Sequence, residues 1–547
     1  MRPHQYVFWA ITALSLALCG CGGADAGAAP SFSASPQDLT VAEGESFAFM
    51  AKTEPESASL QWRRDGTPIA GATGARVSGI ATAADDGARF DVTATAEGQS
   101  SSSAPATLRV NRWHLAEWWP TGSLYTTVKA ALADNGDAVV LWCEQRDASI
   151  RTLNARHYVA TTDRWSAPMA IGVNCTGTLD VAMDASGNAY AAWTDWDGLP
   201  GSVAGVSMKR FDADRGTWEA GNLVAPVAGR GVSTVMVRTG PAGHAAVLFG
   251  RIGTGVTELC FARHVAGAWQ RDERLSSMPV SVGSPDFFDA AIGAEGDLQV
   301  ATTQDTLGLR SVFAQSHRLS DNTVTAPAPL ASGSLLLTTP RFAQRGRQLM
   351  LGWASAAADA VGWHSASWSG GRWSAVTNVR LTGGAALSLD TSGNRVLGFA
   401  VTPSGEASAA LEARQLDGRY RRLVATRDGG GRWIDGPASP FDALAGTVSG
   451  DRVLFASETA DAQAVVSRVL ALAVAGPRPL RSDLRIERLR VNDGWHGGAS
   501  NFAATGNEVV GLDHDGNAQG RLLIAWIEFP SRGAPKLRTS LLLPVRR

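Results

Sequence analysis

From about residue 130 to the C-terminus, the chain alternates short runs of small, β-branched and aliphatic residues with short polar turns. The runs come in pairs. Asp184-Ala-Ser-Gly-Asn-Ala-Tyr-Ala-Ala-Trp193 shows the unit clearly: a polar turn built on a glycine, then an apolar run with a large aromatic six residues beyond that glycine. A glycine followed by Asn or Asp supplies the positive-φ positions with which a β-hairpin reverses direction at little steric cost. Aligned on Gly136, Gly187, Gly243, Gly296, Gly346, Gly393, Gly450 and Gly516, the copies follow at intervals of about 47 to 66 residues. Trp142, Trp193, Phe249 and Phe399 stand six residues past their glycines, Trp353 seven and Phe455 five. Each unit predicts two strands joined by this hairpin, a third such as Val206-Ser-Met-Lys-Arg-Phe211, and a fourth opened by Trp165, Trp218, Trp269 or Trp373.

Four strands at a period somewhat above ~40–50 residues predict the blades of a β-propeller, with one aromatic per blade filling the wedge to its neighbour. The second strands lack period-2 alternation (Val139, Val140; Ala189, Ala191, Ala192), as strands covered on both faces do. Trp113-His-Leu-Ala-Glu-Trp-Trp119 reads as a fourth strand without its first three, and 507–547 as three strands without a fourth. Joined, the two would close the ring and remove its open edges. Eight anchors favour eight blades over seven. The fold class is therefore all-β, with the propeller spanning 112–547.

Residues 31–111 carry a different pattern: Val41 to Phe49, then Leu60-Gln-Trp62 before an Arg63-Arg-Asp-Gly66 turn, then Asp85 to Val92, and Thr107-Leu-Arg-Val110 as the last strand before a boundary at Asn111. This order resembles a bacterial immunoglobulin-like β-sandwich. The resemblance implies that Trp62 is the core tryptophan, that Phe90 stands for the corner tyrosine, and that Phe49 and Val92 replace the two bridged cysteines by apolar packing. Such a module implies a spacer and names no ligand.

Residues 1–21 read as an export signal: Arg2 in a short basic start, a hydrophobic core from Val7 to Leu18, and Leu18-Cys-Gly-Cys21 at its end. This ending resembles a lipoprotein lipobox, which implies lipid modification at Cys21 and a partner in the lipid bilayer. Residues 22–30, rich in Gly and Ala, then form a flexible tether. Gly22 is not the aspartate that in such proteins favours inner-membrane retention, so the expected location is the cell envelope, at the outer membrane. Cys143, Cys175 and Cys260 remain after processing. Cys143 lies at the end of a second strand in one blade and Cys175 just before the first strand of the next, so the two can pair in an oxidising compartment, whereas Cys260 reads as a buried small hydrophobe.

Sixty glycines and 18% charged residues fit turn-rich β structure, and 49 basic against 51 acidic residues lack the basic footprint of a nucleic-acid binder. Thr426-Arg-Asp-Gly-Gly-Gly-Arg-Trp433 resembles the Asp-box of sialidase-type propellers through Thr426, Asp428, Gly430 and Trp433. In that family the box is a structural hairpin, so the match implies fold and not catalysis. A sialidase also needs an arginine triad, a tyrosine nucleophile and an aspartate acid/base. No motif assigns them among Tyr125, Tyr158, Tyr190 and Tyr420, and Tyr158 and Tyr190 occupy core positions of the repeat. His157, His264 and His317 each lie 21 residues past their glycines, which spreads them around a ring and predicts no shared metal site. Asp513-His-Asp-Gly-Asn517 resembles a calcium loop, but Ala518 and Ile524 stand where glycine and glutamate are required, so a hairpin turn is expected instead. Asp195-Trp-Asp197 is an acidic-aromatic loop of a kind that binds sugars. No cofactor is indicated. Two function classes follow: a binding or scaffolding lipoprotein that meets a glycan, peptide or envelope protein, and a glycan hydrolase of sialidase type.

Overall fold

A computed structural model describes residues 28–544 apart from 44–45, 121–123, 146–150, 196–204, 220–221, 227–230, 241–242, 253–256, 271–272, 275–287, 307–308, 335–337, 346, 358–359, 382–394, 402–404, 406, 415–419, 429, 436–444, 450–451, 461–467, 476–484, 491–493, 497–507, 518–520 and 530–535. In parts of it, chiefly 111–126 and 445–512, only the course of the backbone is described. The signal segment, Cys21 and the tether fall outside these residues. The chain forms two compact units that divide near residue 109, with 42–45 grouped with the larger. The strand Ala106–Pro120 gives its first residues to one unit and the rest to the other.

The small unit is all-β apart from one 3-10 turn at Ala83–Asp85. Ser59–Arg64 pairs with Ala88–Ala96, which pairs in turn with Ala106–Leu108, while Ser46–Met50 pairs with Arg76–Ile80. Alternation along Ser46–Met50 turns Phe47 and Phe49 inward, and Phe49 stacks on Phe90 with ring centroids 4.9 Å apart. Trp62 and Val92 are fully buried beside them, and Trp62 Nε1 donates to the carbonyl of Gly74 at 2.9 Å.

The large unit is a β-propeller. Among the described residues eight antiparallel sheets follow one another, and their first strands form a closed circuit around the centre. These inner strands are Leu124–Leu132, Cys175–Met183, Val232–Thr239, Phe288–Ile292, Arg341–Arg345, Arg395–Val401, Ala445–Ser449 and Glu508–Gly516, in blades one to eight. The last blade is composite: Glu508–Gly516, Leu522–Phe529 and Lys536–Pro544 take Ala106–Pro120 as their fourth strand. Asn111 pairs with Pro544 and Pro120 with Lys536, with one register shift between His114 and Glu117. The expected closure of the ring by its two ends is thus present.

Side chains tie this last blade to the first. Asn517 Nδ2 donates to the carbonyl of Ala133 at 2.9 Å, and Arg521 Nη1 to that of Asn135 at 2.8 Å. The Arg521 guanidinium occupies the space over Gly136, whose φ of +93° and lack of a Cβ both serve the turn. Wedge aromatics join the blades as well. Trp142 packs with Leu523, Ala525 and Ile527 of blade eight, Trp193 with blade one, Phe249 with blade two and Trp353 with blade four. Each fills the gap to the preceding blade.

The structure corrects three details. The tryptophan expected to open the fourth strand ends a separate two-residue piece, as in Arg164–Trp165, and pairing with the third strand resumes at Met169–Val173 after a short break. In blade six the first hairpin joins Arg395–Val401 to Ala407–Arg414, so the turn glycine is Gly405 (φ +88°) and not Gly393, which lies outside the described residues. Phe399 therefore lies on the inner strand, and Leu411 stands six residues past the true turn. In blade eight Asn517 N–H bonds the carbonyl of Arg521 at 3.1 Å, as Ala133 does Asp137 and Asp184 does Asn188. Asn517 thus takes the place of Ala133 and Asp184, three residues before Gly520 in the sequence as they stand before Gly136 and Gly187, and Gly516 ends a strand. Asp513 and Asp515 accordingly lie in a strand and not in the hairpin turn expected for them.

Candidate functional site

The inner strands carry an arc of alternating charge across five consecutive blades. Asp180, Asp289 and Asp513 occupy one equivalent position, each facing an alanine of its own second strand: Ala192, Ala301 and Ala525. Each carboxylate accepts the backbone N–H at one equivalent place in the following blade: Val237 at 2.8 Å, Phe342 at 2.7 Å and Ala130 at 2.8 Å. Cations stand between them. Arg238 reaches Asp180 at 3.4 Å and Asp289 at 3.1 Å, and Lys129 lies 3.7 Å from Asp513. Asp513, helped by Asp180 and opposed by burial and Arg238, holds the Lys129 ammonium above its ordinary pKa, so it is charged at all physiological pH values. An inner strand has no partner on its central edge, and these side chains satisfy part of that edge.

The arc is consequently a joint between blades. Asp289→Ala would leave the Phe342 N–H without its acceptor and Arg238 with one anion fewer, in a place where Asp289 is buried. The expected loss is about 1–3 kcal/mol, read as a lower urea midpoint at unchanged slope. A midpoint equal to that of the parent protein would contradict the assignment.

A second equivalent position, two residues beyond the wedge aromatic, changes chemistry from blade to blade. Its partner comes from the third strand, diagonally opposite or directly across. Asn154 Nδ2 donates to Glu144 Oε2 at 3.0 Å in blade one, and Ser207 Oγ donates to Asp195 in blade two. Arg251 meets Glu258 at 3.8 Å in blade three, and Ser355 meets His364 at 2.6 Å in blade five. Burial pushes the Asp195 carboxyl up, against hydrogen bonds from Ser207 and Trp193 that lower it. All four pairs lie where the second strand runs out toward its next loop, so a constant frame presents an acid-amide, an acid-hydroxyl, a cation-acid and a hydroxyl-imidazole pair. Sequence reasoning singled out only Asp195 among them; Trp196 and Asp197 lie outside the described residues.

The other sequence-nominated residues serve the framework. Cys143 and Cys175 are bridged, which staples blade one to blade two, and Cys260 is a buried free thiol. Thr426, Asp428, Gly430 and Trp433 belong to the hairpin between the third and fourth strands of blade six. Asp428 Oδ1 accepts Arg432 N–H at 2.9 Å, and buried Trp433 donates Nε1 to Ser365 Oγ of blade five at 2.8 Å. Tyr158 donates to Asp163 at 2.6 Å. Tyr190 is buried and donates to the carbonyl of Gly243 at 3.1 Å; burial, then the Asp184 carboxylate, push its phenol up to about 12. A phenol so held is a poor nucleophile near neutrality. Tyr125 and Tyr420 lie in strands whose side chains are not described.

His157, His264 and His317 each pack against a ring of an adjacent blade: Phe211 at 4.4 Å, Tyr190 at 5.2 Å and Phe261 at 5.0 Å between centroids. They do not converge. Among the described residues no group of three or more His, Cys, Asp or Glu is placed to hold a metal ion.

No family model and no curated protein matches the sequence. Solved structures do resemble the chain at low identity. The polysaccharide lyase Uly1 is 10% identical, over 66% of this chain and 88% of its own, with a TM-score of 0.38. The β-propeller domain of the Trilobed protease from Pyrococcus furiosus, described as having an open velcro topology, is 7% identical over 68% and 100% (TM-score 0.37). The Hadza microbial sialidase Hz136 is 12% identical over 78% and 92% (TM-score 0.32).

Proposed function

We propose that this chain is a lipid-anchored binding protein of the cell envelope, in which an immunoglobulin-like module carries an eight-bladed propeller that binds a glycan, a peptide or an envelope protein. The observation that carries the reading is the contrast between frame and pairs. Blades are locked to one another by carboxylates, wedge aromatics and a disulfide. At the loop end of that rigid frame, one equivalent position takes a different polar pair in each of blades one, two, three and five. Varied side chains on fixed supports suit recognition, because the support need not be reordered on binding. Burial of Trp62, Phe49, Phe90 and Val92 in one core supports the immunoglobulin-like reading of the small unit. Leu18-Cys-Gly-Cys21 supports the anchor.

Two measurements test the proposal. Cys21→Ser should end incorporation of labelled palmitate and move the protein from the membrane to the soluble fraction; unaltered labelling would refute the anchor. The mature protein should retain a glycan or envelope component in an array or column assay while releasing no sugar from fluorogenic sialosides between acid and neutral pH. Sialoside turnover that vanishes in Tyr158→Phe or Tyr190→Phe, with the fold intact, would replace the binding reading by the hydrolase one.

A further inference from the structure

Among the four described pairs, the blade-five pair joins a hydroxyl nucleophile to an imidazole base. Ser355 Oγ lies 2.6 Å from His364 Nε2. Directly opposite Ser355 on the neighbouring strand is Gly362. A Cβ there would come within 2.9 Å of His364 Nε2 and 3.3 Å of Ser355 Oγ, so any larger residue would intrude on the pair. The imidazole lies parallel to the Trp353 indole, at 5.8 Å between centroids and 12° between planes. Trp353 is itself fixed in the core shared with Ala301, Val312 and Ala314 of blade four. Stack and serine together set the ring's orientation. Ser355 is 8% exposed, His364 is half-buried, and both sit near the strand ends that lead into the next loop. Burial holds the imidazole below its ordinary pKa, hence neutral at pH 7, the form that can accept a proton.

We propose that Ser355 is an acyl-accepting nucleophile with His364 as its general base, and that the pair hydrolyses carboxylic esters of small acyl groups such as acetate. In the tautomer this reaction uses, the ring proton is on Nδ1 and Nε2 accepts the hydrogen bond from Oγ–H. As Oγ bonds to the ester carbonyl carbon, its proton passes to Nε2; the C–O bond to the alcohol then breaks, and Nε2–H protonates the departing alkoxide. Water attacks the acyl-serine with its proton taken by Nε2, and the carboxylic acid leaves as Oγ recovers a proton. The sum is ester plus water to acid plus alcohol, with no other reactant. This activity goes beyond the binding reading and does not depend on it, since an ester can be cleaved whether or not the propeller retains a glycan.

The experiment uses the full mature protein with a fluorophosphonate probe and with p-nitrophenyl acetate. Peptide mapping should place the probe on Ser355. Ser355→Ala should abolish both labelling and ester turnover, and His364→Gln should slow them by about 10²–10⁴-fold, the usual worth of a general base. The parent rate should rise with pH to a plateau through an apparent pKa below about 6.5, and that profile should disappear in His364→Gln. Ser374→Ala, an exposed serine of the same blade outside both the pair and the other polar pairs, should change neither. A folded parent protein with Ser355 unmodified overturns the proposal, and that result needs no variant. So does labelling equally fast in His364→Gln, or a rate that climbs with hydroxide without a plateau.

Discussion

A chain that begins at residue 121 should fail to form a stable propeller, whereas one that begins at residue 110 should fold. Residues 111–120 pair at eight positions with Lys536–Pro544 and complete the last blade. At roughly 1 kcal/mol net per backbone hydrogen bond, losing that ladder removes several kcal/mol, against a total stability of about 5–15 kcal/mol for a typical domain. The truncation also bares the Lys536–Pro544 edge, an invitation to pair with a second chain. The expected outcome is a large fall in melting temperature together with concentration-dependent aggregation. A synthetic peptide of residues 110–120 added in trans should restore part of the lost stability, which separates edge pairing from general damage. If the shorter chain melted at the same temperature and stayed monomeric, the ring would not depend on this strand.

That closure was legible from two incomplete copies of the repeat, because a fourth strand and a set of three have complementary needs. The blade anchors were legible only in part, and the two misplaced ones share a cause. Ser392-Gly-Asn394 and Asp515-Gly-Asn517 have the same turn chemistry as Ser186-Gly-Asn188, yet pairing puts the blade-six turn at Gly405 and the blade-eight turn beyond Asn517. Turn propensity is local and satisfied at many places, whereas strand order is decided by which apolar runs can be covered on both faces. The shift in blade eight also hid the carboxylate arc. Only with Gly520 as the anchor does Asp513 fall seven residues before its glycine, as Asp180 and Asp289 do before Gly187 and Gly296. Trp526 then stands six residues after it, like Trp142 and Trp193 after theirs. The Ser355 and His364 pair left no signal of its own, because a serine and a histidine nine residues apart acquire meaning only when the register sets Ser355 opposite Gly362 and Trp353 opposite His364.

Acidification should weaken the propeller well above the pH at which its carboxylates protonate. Burial holds His157, His264 and His364 below their ordinary pKa. For His157 the Asp137 carboxylate opposes that shift. For His264 the carbonyls of Gly243 and Gly267 and the Glu219 carboxylate oppose burial, while the Arg210 guanidinium adds to it. The unfolded chain therefore binds protons that the folded one refuses between about pH 6.5 and the folded pKa of each group, and stability must rise with pH across that window. Present in full above about 6.5, this contribution is lost as pH falls. Each histidine that the fold keeps neutral lowers the stability further as pH falls, until the folded state too takes up the proton. His157 against Phe211 and His264 against Tyr190 lie between blades, so their protonation would place charge in the seams that hold the ring. Thermal melts from pH 7.5 to 5 should show a progressive fall, and His157→Phe combined with His264→Phe should flatten it while keeping ring-on-ring packing. A melting temperature constant to pH 5, or a slope unchanged in the double variant, would remove the buried histidines as its cause.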